Sequence, residues 1–324
     1  MPTTRSPRRG SMQYWPRKRA KKLRVRSWAD VQAVKPLGFA GFKAGMTHVI
    51  ITDNRATSHT KGESISMPVT IVECPPIKVF AVNFYKNSAY GRSLSSQILS
   101  TGADKVLQRT LSLPKKEPKK FGDLGDFDDV NLVVHTQPGF TSTGQKRPHI
   151  FEVAVGGKKE AKLEYAKSML GKEIAVTDVF KEGDQADIHA ITRGKGFQGP
   201  VKRFGVSIRQ HKSEKTKRGP GTLGPWRGQG KIMYRVAHAG QMGYHLRTEF
   251  NKWIIKIGKK DEQATPKGGF INYGVVKNPY LILKGSIAGP KKRMIRLNVA
   301  TRPKNIPSQA PIIKYLSLES KQGV

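Results

Sequence analysis

Apolar residues in this chain recur mainly in short runs that alternate with polar ones, the pattern of half-buried strands. After Lys35 the segment LGFAGFKAGM is rich in Gly and Phe, and THVIITD predicts a strand from about Met46 to Thr52. RATSHTKGES is polar and reads as a loop. MPVTIVEC and IKVFAVNFY predict two further strands, and Pro75 and Pro76 mark the break between them. Met67 to Tyr85 therefore reads as a hairpin or a corner of a β-barrel.

Residues 87 to 130 are less regular, with a short helix predicted over Ala103 to Leu111 and a charged turn at PKKEPKK. FGDLGDFDDV has the wrong spacing for a calcium loop and reads as a solvated acidic turn. NLVVHT and HIFEVAV predict strands. Ala161, Tyr165 and Met169 then share one helical face, and with Gly171 as the stop they predict a helix over Lys158 to Leu170. IAVTDVF is a short strand or turn, and ADIHAITR and NKWIIKIG are strands. YGVVKNPYLILKGS predicts a hairpin about Asn278-Pro279, and MIRLNVA a last strand. The segment TRPKNIPSQAPIIKYLSLESKQGV is expected to run extended over a surface. Roughly ten strands against one or two helices predict a mainly β fold, a closed β-barrel core carrying an α+β insertion.

Two stretches carry no periodicity of either kind. Residues 1 to 27 hold ten Lys and Arg and no acid, interrupted by Tyr14 and Trp15. Residues 193 to 235 hold twelve Lys and Arg, nine glycines and one acid, Glu214. Such segments bury too little apolar surface to offset their ordering entropy. Both are expected to order against a polyanion. The organisation expected is thus a basic tail at 1–34, a barrel core at 35–86 and 186–300, a mixed insertion at 87–185, an internal extension at 193–235 and an extended segment at 301–324.

Charge narrows the partner. The 324 residues carry 59 Lys and Arg against 23 Asp and Glu, a formal +36. Self-repulsion at that level favours association with an anionic partner. No run of about 18 apolar residues and no signal-peptide core occurs, so a membrane is not expected, and the chain reads as soluble and intracellular. Cys74 is the one cysteine, which excludes a disulfide within the chain and cysteine-based zinc sites. The eight histidines lack metal-site spacing, and His238 and His245 read as surface residues. No metal or cofactor is expected.

Catalytic motifs are weak. Gly194-Lys195-Gly196-Phe197-Gln198-Gly199 fits a dinucleotide fingerprint by letter, but Pro200, Lys202 and Arg203 open no apolar helix and Glu214 ends no second strand. A nucleotide-dependent or nucleic-acid-acting enzyme built on this loop is the alternative reading. Cys74 next to Pro75 reads as a small core residue, and Trp253 as core or half-buried. Trp226, between Pro225 and Arg227, has almost nothing apolar nearby and suits stacking on a base. The expected RNA contacts are Arg8, Arg9, Trp15, Arg17, Lys18 and Arg19 in the tail. In the extension they are Lys195, Lys202, Arg203, Lys217, Arg218, Trp226, Arg227, Lys231 and Arg235.

Three motifs together resemble one family. Gly41-Phe42-Lys43-Ala44-Gly45-Met46-Thr47 is similar to the start of the barrel in the universal third protein of the large ribosomal subunit. Arg193 to Gly199 with Lys202-Arg203-Phe204-Gly205 resembles that family's outgoing leg of a central extension. Ala239-Gly240-Gln241-Met242-Gly243-Tyr244-His245 with Arg247-Thr248 and Asn251 resembles the return. The insertion and the tail are archaeal or eukaryotic in style. The resemblance implies a non-enzymatic translation-protein-type barrel that binds large-subunit rRNA near its 3′ end and acts early in assembly. It also implies neighbouring large-subunit proteins as partners, no homo-oligomer and a cytoplasmic location. By the same resemblance the extension reaches toward the peptidyl transferase centre with Trp226 at its tip, and Lys43, Gln241, Tyr244, His245 and Arg247 join the RNA contacts. Lys217 stands where eukaryotic members carry a methylatable histidine, so that modification is not expected.

Overall fold

The structure, a computed structural model, describes residues 7–25, 27–102, 104–114, 121–213, 216–260, 262, 264–304, 307 and 309–320. Arg5, Arg26, Ala103, Glu214, Lys215 and residues 115–120 of the charged turn lie outside them. The chain forms two compact units, one of Met1–Leu23 with Ile191–Arg247, the other of Arg24–Ala190 with Thr248–Val324.

In chain order the strands are β1 (Gly38–Thr52), β2 (Ser64–Glu73), β3 (Ile77–Ser88), β4 (Gly91–Leu99), β5 (Asp129–His135), β6 (Ile150–Ala154) and β7 (Glu173–Ile174). They continue as β8 (Gln185–Ile191), β9 (Phe197–Gln198), β10 (Gly240–Gln241), β11 (Leu246–Gly258), β12 (Tyr280–Lys284), β13 (Met294–Val299) and β14 (Ile313–Leu316). Two helices, α1 (Lys159–Met169) and α2 (Pro200–Phe204), accompany them.

The larger unit is built on a hydrogen-bonded ring. Its seven-stranded sheet runs β13-β8-β11-β12-β2-β1-β14, and β1 also pairs with β13, so six of the strands close on themselves. The closing ladder runs antiparallel from Gly38↔Asn298 to Phe42↔Met294. Phe39, Phe42, Val69, Ile71, Ile188, Ile254, Leu281, Leu283, Ile295 and Leu297 are buried in this unit. β1 begins eight residues before the strand expected from Met46, because its glycines serve packing rather than turning. A Cβ at Gly41 would stand 2.5 Å from Val72 Cγ1 and 2.9 Å from the Glu73 carbonyl oxygen.

A second sheet, β4-β3-β5-β6 with β7 on β3, joins β3, which precedes the insertion almost entirely, to strands within it. Two expectations fail here. β2 and β3 form no hairpin: after Pro75-Pro76 the chain passes to the other sheet, where β3 pairs with β4, β5 and β7. β4 carried no pattern because its first five residues are exposed. Of the helix expected at Ala103–Leu111 only a 3-10 turn, Lys105–Arg109, forms, with Leu107 buried against Phe80, Ala81 and Val133. α1 matches its expected span within a residue at each end. The acidic turn is solvated only in part: Asp129 pairs with Arg92 and Lys162, each at 2.8 Å, and Asp128 accepts the Asn87 amide.

Asn278-Pro279 is likewise not a hairpin tip. Before β12 the chain instead wraps the buried Glu73 carboxylate, which accepts the Lys277 and Asn278 amides, the Asn278 side chain and the Tyr273 hydroxyl. The C-terminal segment expected to run extended contributes β14, paired with β1 from Val49↔Leu316 to Ile51↔Ile313. Cys74 and Trp253 are buried as expected, and Trp253 Nε1 donates to the Gly183 carbonyl at 3.0 Å. Among the described residues no helix is long and apolar enough to cross a membrane, and no cluster of His, Cys, Asp and Glu could hold a metal.

Candidate nucleic-acid interface

The smaller unit takes its form from two antiparallel legs. Thr192 donates to the His245 carbonyl at 2.9 Å, Lys195 to Met242 at 3.0 Å and Met242 to Gly196 at 2.9 Å. β9 and β10 continue the ladder through Gln198↔Gly240 and Phe197↔Gln241. Gly194 and Gly196 of the dinucleotide-like run thus belong to a paired leg, and Gly199 precedes α2. Gly243 is fixed in the left-handed region at φ 73°, where a Cβ would strike the Arg193 carbonyl. Pro200 at the helix start and Gly205 in the left-handed region bound α2 to a single short helix, which buries Pro200 and Phe204.

The N-terminal tail docks on these legs. The Ala20 amide donates to the Tyr244 carbonyl at 2.8 Å, and Arg8 Nη2 to the Arg235 carbonyl at 2.7 Å. Trp15 meets Phe204 and Tyr234, with ring centroids 5.8 Å apart in both pairs. Described residues of the tail are therefore not a solvated coil, contrary to composition alone. The signal missed was the pair Tyr14-Trp15, whose apolar faces need partners, and Phe204, which supplies one.

Arg203 is the tie. Its Nε donates to the Gln241 carbonyl at 3.0 Å, Nη1 to His238 at 2.8 Å and Nη2 to Arg17 at 3.3 Å. Arg17 lies 4.5 Å above the Phe204 ring and Arg247 4.7 Å above Tyr14, while Arg19 lies 4.9 Å above Tyr244. These guanidinium–aromatic contacts hold charge without carboxylates. The unit has twenty-one Lys and Arg against Glu214 alone, a formal +20 of the chain's +36.

The expected contact residues of this unit fall into two sets. Arg8, Arg9, Lys18, Arg19, Lys195, Lys202, Lys217, Arg218, Arg227, Lys231 and Arg235 are exposed. Trp226 is 48% exposed in the 3-10 turn Pro225–Gln229. Trp15, Arg17, Arg203, Gln241, Tyr244 and Arg247 are half-buried and hold the tail to the legs. His245, expected at the surface, is buried. Its Nδ1 lies 3.0 Å from the Lys18 carbonyl, an acceptor, so Nδ1 carries the proton. Burial, then Arg247, Arg203 and Arg17, lower its pKa, partly offset by the Lys18 carbonyl.

Lys43, in the larger unit, departs from expectation. Its ammonium is buried and donates to the Ile287 and Gly289 carbonyls at 2.5 and 3.0 Å. Burial lowers its pKa. Its charge is spent inside the fold rather than offered to a phosphate.

The model of the family described as ribosomal protein L3 matches residues 1–323. The chain belongs to the ribosomal protein L3 family. It is 46% identical over 326 residues to the large ribosomal subunit protein uL3 of Archaeoglobus fulgidus, with 98% of each chain covered. To the proteins of the same description from Methanocaldococcus jannaschii and Methanobrevibacter smithii it is 44% identical, over 328 and 331 residues, again with 98% of each chain covered. A ribosomal protein of this family is a structural, non-enzymatic component of the large subunit. The enzyme reading of Gly194–Gly199 is thereby set aside.

Proposed function

We propose that this chain is a structural protein of the large ribosomal subunit in the cytoplasmic ribosome, whose tail and extension bind large-subunit rRNA near its 3′ end and support early assembly. The six-stranded ring acts as a closed barrel of the translation-protein type. The extension reaches toward the peptidyl transferase centre, with Trp226 as its aromatic probe. Neighbouring large-subunit proteins are its other partners.

The observation that carries this reading is the charge of the tail–extension unit, +20 with its cations largely exposed. Each Lys or Arg that neutralises a phosphate releases counterions, so affinity is high and falls steeply with salt. Most such contacts position rather than specify. The test is sedimentation of the tagged chain: it is expected to travel with the large subunit at moderate salt. Recovery in the soluble fraction at moderate salt would overturn the reading.

A further inference from the structure

One end of the six-stranded ring carries an open apolar cleft. Antiparallel pairing brings the end of β11, the start of β12 and the end of β2 to one level, through Gly258↔Tyr280 and Tyr280↔Glu73. Beside that row lies a cleft of about 550 Å³, within the ~300–1,000 Å³ usual for ligand sites. Cys74, Pro76, Ile257 and Pro279 line it from the strand ends, and Val176 and Phe180 from the turn before β8. Its walls are tied together without a ligand. The Cys74 amide donates to the Pro279 carbonyl at 2.7 Å, the Ile257 amide to Glu182 at 2.9 Å and the Ala175 amide to Asp178 at 2.8 Å. Lys181, Lys259 and Lys260 stand exposed on the rim. Among the described residues none of the three has an ion-pair partner.

The chemistry of the cleft selects its occupant. Its side-chain oxygens are those of Thr177 and Glu182, and Glu182 already accepts the Ile257 amide. An extruded RNA base would therefore bury N–H donors short of acceptors. Phe180, the one aromatic in the lining, is 1% exposed and offers no face for stacking. An aliphatic side chain leaves no polar group unmatched there, and three ammonium groups at the mouth favour carboxylates beside it. The cleft is half open, so it holds a side chain and leaves the backbone that bears it outside. We propose that this cleft docks an acidic segment of a neighbouring large-subunit protein, with an aliphatic anchor inside and flanking carboxylates against Lys181, Lys259 and Lys260. This rests on the large-subunit reading above and gives its protein partners one defined site.

The test is crosslinking in assembled subunits. Thr177 is exposed on the rim and Cys74 is buried, so Thr177→Cys supplies the accessible thiol of the chain. That chain, labelled with a benzophenone maleimide, is reconstituted with large-subunit rRNA and proteins and irradiated, and the crosslinked peptide is sequenced by mass spectrometry. The expected product is a protein segment in which an aliphatic residue lies next to acidic ones. Lys259→Glu with Lys260→Glu in the same labelled chain is expected to lower the yield about tenfold. A crosslink to rRNA or to a segment without acidic residues overturns the site, as does no crosslink or a yield unchanged by the reversal. If unlabelled wild type does not join subunits, the large-subunit reading fails instead. If the label or the reversal alone keeps the chain out of subunits, the free chain decides. A peptide alternating leucine and glutamate is expected to bind wild type about fivefold more tightly than Ala175→Trp, which fills the cleft and leaves each charge in place. Equal binding overturns the proposal.

Discussion

Replacing Arg203 by Met is expected to undock the tail while sparing the larger unit. The stem of Arg203 survives in Met, so the loss is confined to the guanidinium. Three carbonyls, those of Gln241, His238 and Arg17, then lose their donor. Hydrogen bonds from a charged donor contribute about 1.5–3 kcal/mol each. Arg203 is half-buried, and its contact with Arg17 is long at 3.3 Å, so the lower end applies and the third bond counts for little. One term opposes this. Arg203 lowers the pKa of Arg17 by repulsion, and Met removes that. The net expectation is a loss of about 2–3 kcal/mol, which raises the open fraction of the tail roughly 30- to 150-fold. Hydrogen exchange followed by mass spectrometry reads it directly. Peptides spanning 7–23 and 238–245 should lose protection, with the Ala20 amide bonded to Tyr244 as reporter. Peptides of β1, β2 and β12 should be unchanged. Full retention of protection at Ala20 would show that Arg203 does not tie the tail, and that the aromatic contacts of Trp15 suffice.

Trp226→Ala should leave the melting of the free chain unchanged within about 0.5 kcal/mol, since the indole is 48% exposed, while subunit assembly or elongation declines; a large fall in melting temperature would assign the indole to the core. Glu73→Gln should destabilise the larger unit by about 3 kcal/mol or more, because a neutral amide then faces four donors; denaturant unfolding at unchanged slope measures it. Acid should loosen the tail through His245, whose pKa lies below its ordinary 6.5 in the folded chain. Between the lowered and the ordinary value the unfolded chain binds the proton and the folded chain does not. Stability is therefore full above about 6.5 and is lost as the pH falls through the folded value. Tryptic cleavage in the tail should accelerate below pH 6.5 in wild type and much less in His245→Gln at the same pH; parallel acceleration in both would refute it.

Strands buried along nearly their whole length were legible as short apolar runs. β5, β8, β12 and β13 are buried at almost every position, and β6 alternates in part. β4 was not legible, since a ribbon with both faces largely wet leaves no such run. Glycine hid part of one strand and imitated a motif in another. In LGFAGFKAGM it masks the first half of β1, where Gly41 gives the strand room to approach Val72 and Glu73. Around Gly194 it imitates a phosphate loop, whereas the leg it belongs to is zipped to the return strand. Asn278-Pro279 marks a bend rather than the expected hairpin turn, where the chain closes around a carboxylate 205 residues upstream in sequence. The candidate interface was legible as charge and not as geometry. Nothing in the letters distinguishes Lys231, which faces solvent, from Lys43, which faces carbonyls, because that distinction depends on contacts far apart in sequence.

Each ion pair found among the described residues lies in the larger unit. In the tail–extension unit cations are held by carbonyl oxygens and aromatic faces, neither of which cancels a formal charge. Among its described residues, folding therefore consumes none of the unit's valence. An ordinary basic domain surrenders part of its charge to its own carboxylates and greets a polyanion with the remainder. Here the described cations meet it undiminished, and among the described residues no internal pair has to be broken before a phosphate can be engaged. Binding is then an exchange of small ions for RNA, without a competing rearrangement inside the protein.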